Sequence, residues 1–240
     1  MNKPVTLMLE AAAFLACLAA TTAHASPAHS AAPNPSRCPA APPIEADSNE
    51  RKGPLKIPAR FAPVAKSDLA RLAVATLSGG NFCENIPAIN KAENFALSSD
   101  GRFFSFDWYG YEEGGHVIID RSGRGQSIDS GAEVTLSPSG RRFAAVQFSE
   151  AGFGALEGFA VWRIQPVGLR QLVKLDEIPS LVDWRIDSWS GENCVMLSGI
   201  PNARIPNNTE NYSKVARDRY IARPSGNNWR LTRARSCPAG

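Results

Sequence analysis

Histidine and methionine are scarce in this chain, three of each in 240 residues, and aromatic residues make up only 8%. A histidine-based zinc centre is therefore poorly supplied, all the more because no Cys-x-x-Cys spacing occurs. No Gly-x-Ser-x-Gly surrounds any serine, so the strand-to-helix nucleophile turn of many hydrolases is missing. The glycine-rich runs at 123–125 and 152–154 do not open a helix after a parallel strand. They read as hairpin turns rather than as phosphate or dinucleotide loops. Charge is nearly balanced, at a formal net +3, which leaves no footprint for nucleic acid. Long apolar runs are also lacking: the one at 11–20 falls short of the roughly 20 residues needed to cross a bilayer. No cofactor, metal or catalytic motif is expected.

What the start of the chain does have is Lys3, that short apolar run, and small residues Ala23 and Ala25 around His24. This is the layout of a cleaved secretory signal over residues 1–25, with cleavage after Ala25. A rival reading lipidates Cys17 at the end of "FLAC", although Leu15 fits that site poorly. Four further cysteines, Cys38, Cys83, Cys194 and Cys237, form an even set in a chain expected to be periplasmic or secreted, which favours two disulfides. Three pairings exist. The preferred one joins Cys38 to Cys83 and Cys194 to Cys237, each closing a moderate loop near one end. The processed chain is expected to be soluble, with no transmembrane segment after cleavage.

Residues 26–63 are dense in Pro and Ala with almost no large apolar side chain, and read as a flexible tether pinned at most by Cys38. The remainder, 64–240, reads as one β-repeat domain with a short N-terminal helix. That helix is predicted over "KSDLARLAVATLSGG" from the spacing of Leu69, Leu72, Val74 and Leu77, with Ser67 as cap and Gly79 as terminator. After Asn94 brief apolar runs split by Gly, Asp, Ser and Asn predict strands near 95–98, 103–108, 116–120, 126–130, 133–136, 142–148, 159–164, 169–175, 182–189, 193–200, 219–223 and 229–234. These fall into three groups of four. Each group turns at "SSDGR", "SPSGR" or "WSGEN", where Gly101, Gly140 or Gly191 supplies the left-handed backbone. Four-stranded units recurring at about 40 residues signify propeller blades or a related array. The fold class is thus mostly all-β, a propeller-like array of about three four-stranded antiparallel units.

"LSSDGRFFSF" and "LSPSGRRFAAV" resemble the Ser-Pro-Asp-Gly-Arg turn of the WD-like β-propeller repeats of periplasmic proteins of the TolB type. The resemblance runs from Phe95 to Ala234. It implies a non-enzymatic scaffold that presents loops to a protein or an envelope component. Closed propellers usually need at least four blades. A three-unit ring, a fourth unit built from residues before Asn94, and an open twisted array therefore all satisfy the pattern.

The loop at 107–116 carries Trp108, Tyr109 and Tyr111 beside Asp107, Glu112 and Glu113; the equivalent loop at 149–159 carries Phe153, Glu150 and Glu157. Strand alternation sends these loops, and the one at 201–218, to one rim opposite the Gly turns. Trp108, Tyr109, Tyr111, Glu112, Glu113 and Phe153 are accordingly the candidate binding residues. An alternative function is carbohydrate binding or glycoside hydrolysis with two of these carboxylates. His116 reads as a strand-edge residue with an ordinary hydrogen bond. Arg217, Arg219, Arg223, Arg230, Arg233 and Arg235 cluster near the end, and either protect an edge strand or meet an anionic polymer. A free edge that pairs with a second copy is the third alternative. The sequons at Asn207 and Asn211 matter only in a eukaryotic secretory route.

Overall fold

The computed structural model describes residues 32–41, 51–132, 134–149, 154–205, 212–226 and 228–238. The expected signal, Cys17, Phe153, Glu150 and the sequon asparagines lie outside the described residues. A first sheet holds β1 (Ala65–Ser67), β2 (Arg71–Ala75) and β3 (Asn81–Asn85), and a second holds β4 (Lys91–Leu97), β5 (Phe103–Tyr109), β6 (Gly114–Asp120) and β7 (Gln126–Asp129). The third holds β8 (Thr135–Leu136), β9 (Arg142–Gln147), β10 (Gly158–Ile164) and β11 (Leu169–Leu175). The fourth holds β12 (Val182–Ser190), β13 (Cys194–Ile200), β14 (Asp218–Ser225) and β15 (Asn228–Arg233). Every sheet is an antiparallel meander in chain order; β5–β15 overlap the strands expected from the alternation of short apolar runs and turns, while β4 begins four residues before the run expected at 95–98.

The predicted N-terminal helix is not formed; its residues make β1, β2 and two turns. Leu72 and Val74 face the second sheet while Ala73 and Ala75 face away, a period of two that the near-helical spacing of four apolar residues concealed. Leu69 and Leu77 are turn residues, each 46% exposed. Ser67 caps no helix: its hydroxyl accepts the Leu55 N–H at 2.7 Å. Asp68 closes the first turn by accepting the N–H groups of Ala70 and Arg71. The array therefore has four sheets, the extra one supplied by residues before Asn94.

Core packing follows the strand parity. On β5, Phe104, Phe106 and Trp108 pack against Leu72 and Val74 of the first sheet. Phe103 on the opposite face joins Ile118, Phe143 and Trp162 between the second and third sheets. Val146, Phe159 and Val161 meet Val195 and Leu197 of the fourth. Among the described residues each apolar cluster joins consecutive sheets, and none joins the first to the fourth.

The repeated turns share a hydrogen-bond plan. Ser98 takes the Gly101 N–H on its carbonyl and the Phe103 N–H on its hydroxyl; Ser137 does the same for Gly140 and Arg142. Gly101 and Gly140 sit at φ +71° and +67°, where a side chain is disfavoured. The first sheet has its own version, in which Thr76 accepts the Gly80 N–H on its hydroxyl.

Arginines near these turns fasten neighbouring sheets. Arg102 forms a paired bond to the buried Asp120 at 3.0 and 2.7 Å and also donates to the Gln165 carbonyl of the third sheet's last turn. Arg142, one position later than Arg102 in the repeat, reaches Glu192 and Asn193 of the fourth. Arg121 ties the second sheet to the Ala75 carbonyl of the first.

Cys38 bonds Cys83, and Cys194 bonds Cys237, as preferred from the sequence. Cys83 lies on the face of β3 turned away from the second sheet, next to Ala73. The disulfide draws a short 3₁₀ turn, Pro35–Arg37, onto that face with Pro33 and Pro35 buried. Further along the predicted tether, Leu55 and Phe61 are buried in the first core. Among the described residues no helix is long and apolar enough to cross a membrane.

Burial pushes the Asp120 carboxyl up, but the Arg102 bonds and the Ser122 N–H outweigh it, so the folded group ionises below its ordinary range. Its stabilisation is complete above the unfolded value of about 4 and is lost as pH falls through the folded one. Arg102→Ala is expected to cost about 3–5 kcal/mol at pH 7, read from urea unfolding. That deficit is expected to shrink as pH falls below the unfolded value of about 4 and through the lower folded one, as Asp120 becomes neutral.

A cleft between the second and third sheets

Strand parity sets the site. Phe103, Ser105 and Asp107 share the face of β5 turned to the third sheet, and β6 places His116 directly opposite Asp107. Together with Asn94, Ala96 and Leu97 of β4 they form one wall of a 480 Å³ cleft. Val134, Leu136, Phe143 and Ile164 of the third sheet form the other. The two walls differ along their length. Near the Gly turns Phe103 and Ile118 meet Phe143 and Ile164 and the lining is apolar; near the long loops it carries Asn94, Ser105, Asp107 and His116.

The polar end is a connected group. Asp107 Oδ1 lies 2.5 Å from His116 Nδ1, and its Oδ2 accepts the Asn94 side-chain amide at 2.6 Å. A carboxylate on Nδ1 leaves Nε2 as the imidazole nitrogen open to a ligand. Asn94 stands in a bulge of β4, between Glu93 and Ala96, with φ +53°. Asparagine tolerates that left-handed backbone, and the bulge turns its side chain onto Asp107. Ser105 lies two residues before Asp107 on the same face, and its hydroxyl has no protein partner among the described residues.

Behind the site, on the face toward the first sheet, the Trp108 indole donates to Asp129, which also accepts the Gly131 N–H at 2.9 Å. Gly115 packs against them; a Cβ there would come within 2.5 Å of the Asp129 carboxylate and 2.9 Å of Ala155 Cβ, so a side chain at this position would have to displace that carboxylate. Burial pushes the Asp129 carboxyl above its ordinary value, against the pull of the Gly131 N–H, the indole and His116.

The sequence-predicted residues separate into three groups. Trp108 belongs to the core, 9% exposed. Tyr109 and Tyr111 are exposed on the rim at 43% and 66%, beside exposed Glu112 and Glu113. The Tyr109 ring lies under the Lys91 ammonium, and its hydroxyl bonds Glu93. Phe153 lies outside the described residues. The first two loops do converge: Gly114 and Gly154 pair as a β-bridge, and Gln147 donates to the Gly114 carbonyl. Glu157 accepts the Gly154 N–H inside its own loop. His116 occupies an interior strand, not an edge, and its pairing with Asp107 was readable only as two residues flanking one hairpin loop. Asn94 and Ser105 carried no motif at all.

A carboxyl raised by burial holds its proton more tightly in the folded state, so the stability it lends falls as pH rises through the unfolded and then the folded value. Relative to Asp129→Asn, the wild-type protein is expected to lose stability as pH rises from about 4, until the folded carboxyl has itself ionised, measured as urea midpoints at intervals. A gap that stays constant with pH would remove the claim that this carboxyl is desolvated. No protein-family model matches the chain, and no curated protein matches it in sequence.

Proposed function

We propose that the protein is a non-enzymatic β-repeat binding module of the periplasmic or secreted space, its four sheets being blades of an open WD-like propeller. It engages a protein or envelope component. The observation that carries this reading is the cleft: an apolar slot of 480 Å³ that ends in a hydrogen-bonding group, the Asn94–Asp107–His116 chain with Ser105 beside it. Sites for small molecules and for single side chains have this composition, apolar walls with a few fixed polar groups. The ligand group it suits has an apolar body and one polar head that meets His116 Nε2 and the Ser105 hydroxyl. Two disulfides agree with an oxidising compartment.

Carbohydrate recognition is the second reading, favoured by exposed Tyr111 beside Glu112 and Glu113 on the same rim. One experiment separates the two. A partner is captured from an envelope extract on the immobilised protein, identified by mass spectrometry and titrated against variants. Ala96 is exposed on the cleft wall, so Ala96→Phe narrows the slot without entering a core. It is expected to weaken binding at least tenfold, ~1.4 kcal/mol, with an unchanged unfolding midpoint. Tyr111→Ala is expected to change affinity less than threefold. The reverse order of effects moves the site to the rim and favours the sugar.

A further inference from the structure

Among the described residues the fourth sheet has one face against the third and one face with no sheet beyond it. Register places Cys194, Met196 and Ser198 of β13, Arg219, Ile221 and Arg223 of β14, and Arg230 and Thr232 of β15 on that outer face. The charges there are unbalanced in a specific way. Asp218 is held at 2.8 Å by both Arg204 and Arg233, and Asp183 by both Arg185 and Arg217. Those pairs consume two acids at this end of the sheet; a third, Asp187, is in no ion pair among the described residues and accepts the Ser198 hydroxyl. Arg219, Arg223, Arg230 and Arg235 are exposed and have no carboxylate partner among the described residues.

Arg223 and Arg230 are, moreover, direct cross-strand partners. Like charges in that position destabilise a sheet. At the other end of the same face, Arg217, Arg219 and Arg235 line a hollow of 430 Å³ together with Met196 and with Asp187, whose carboxylate accepts the Ser198 hydroxyl. Arg219 and Arg223 are four residues apart on one strand, so the two basic groups stand about 13 Å from one another. No single phosphate or carboxylate bridges that span. Between them lie buried Ile221 and its two cross-strand partners, half-buried Met196 and exposed Thr232, and the exposed large apolar residues of the described chain all lie elsewhere. Trp229 and Tyr220, the aromatics of β14 and β15, pack inward. Protein partners are held by aromatic and aliphatic anchors, and single-stranded nucleic acid by exposed aromatic platforms. Exposed guanidinium groups beside hydroxyls, with no exposed large apolar anchor among them, match a chain of anionic groups and hydroxyls.

We infer that the outer face of the fourth sheet binds an extended acidic polysaccharide, with Arg223 and Arg230 on one anionic group and Arg219 and Arg235 on another. The site is separate from the cleft and does not depend on the function proposed for it. Of the arginines named from the sequence, Arg233 is committed to Asp218 and takes no part.

The probe is polygalacturonate, a linear carboxylate polysaccharide, titrated calorimetrically against the full chain. Binding is expected to weaken at least tenfold when salt is raised from about 50 to 200 mM, as counterion displacement requires. Arg223→Ser/Arg230→Ser is expected to lose at least tenfold in affinity. The same double variant is expected to unfold at an equal or higher urea midpoint, because it removes a like-charge pair; this separates lost binding from lost fold. Ala96→Phe, which blocks the cleft, is expected to leave polygalacturonate affinity within twofold. Wild-type affinity in the double variant overturns the inference, as does equal binding of uncharged dextran. Tighter binding of polyglutamate or duplex DNA overturns it in favour of an acidic protein or nucleic acid.

Discussion

A four-stranded meander with apolar residues on both faces cannot be stable alone, and that constraint organises the chain. The second and third sheets each have two such faces, as Phe103 and Phe104 on adjacent positions of β5 show most directly. Each must be sandwiched. Three cores result, one per pair of neighbouring sheets, and the turn arginines add hydrogen bonds at the same junctions. Arg102 illustrates how the two kinds of contact depend on each other. Its guanidinium is positioned by Asp120 within its own sheet, and only then reaches the Gln165 carbonyl of the next.

The cleft arises where this rule is locally suspended. Toward the Gly turns the facing walls are Phe, Ile and Leu and close on one another; toward the long loops the second sheet offers Ser105, Asp107 and His116 instead. Polar groups on an inward face prevent tight closure unless they are satisfied, and here Asn94 and His116 satisfy Asp107 from within the same sheet. The third sheet is not needed to complete that network, which is why a slot can remain open beside it. The strained backbone at Asn94 is the local cost of this arrangement.

Much of the architecture was legible because its signals are local. A turn such as "SSDGR" carries its own hydrogen-bond donors and its own glycine, and a strand carries its parity. The disulfide pairing was legible because each pair closes a loop near one terminus. Residues 67–79 misled for a related reason: two inward residues of a short strand plus two leucines in flanking turns imitate a helical stripe, and no local feature distinguishes them. The cleft was hidden because it depends on which faces of two sheets meet. Trp108 stood out in the sequence as an aromatic next to a loop, yet parity sends it to the core and leaves its small neighbours Ser105 and Asp107 facing the slot.

Since each apolar cluster joins only consecutive sheets, the molecule behaves as a short one-dimensional array in which every unit is supported by its neighbours. Among the described residues the two terminal units share an apolar core with one neighbour only. Both disulfides lie there, one anchoring the segment before the first sheet and the other the segment after the fourth. In such an array opening starts at the ends, and a covalent link at each end acts as a stopper against fraying. Amide exchange would then be graded from the middle outward while the bonds are intact, and reduction would steepen that gradient before it lowered the stability of the central pair of sheets.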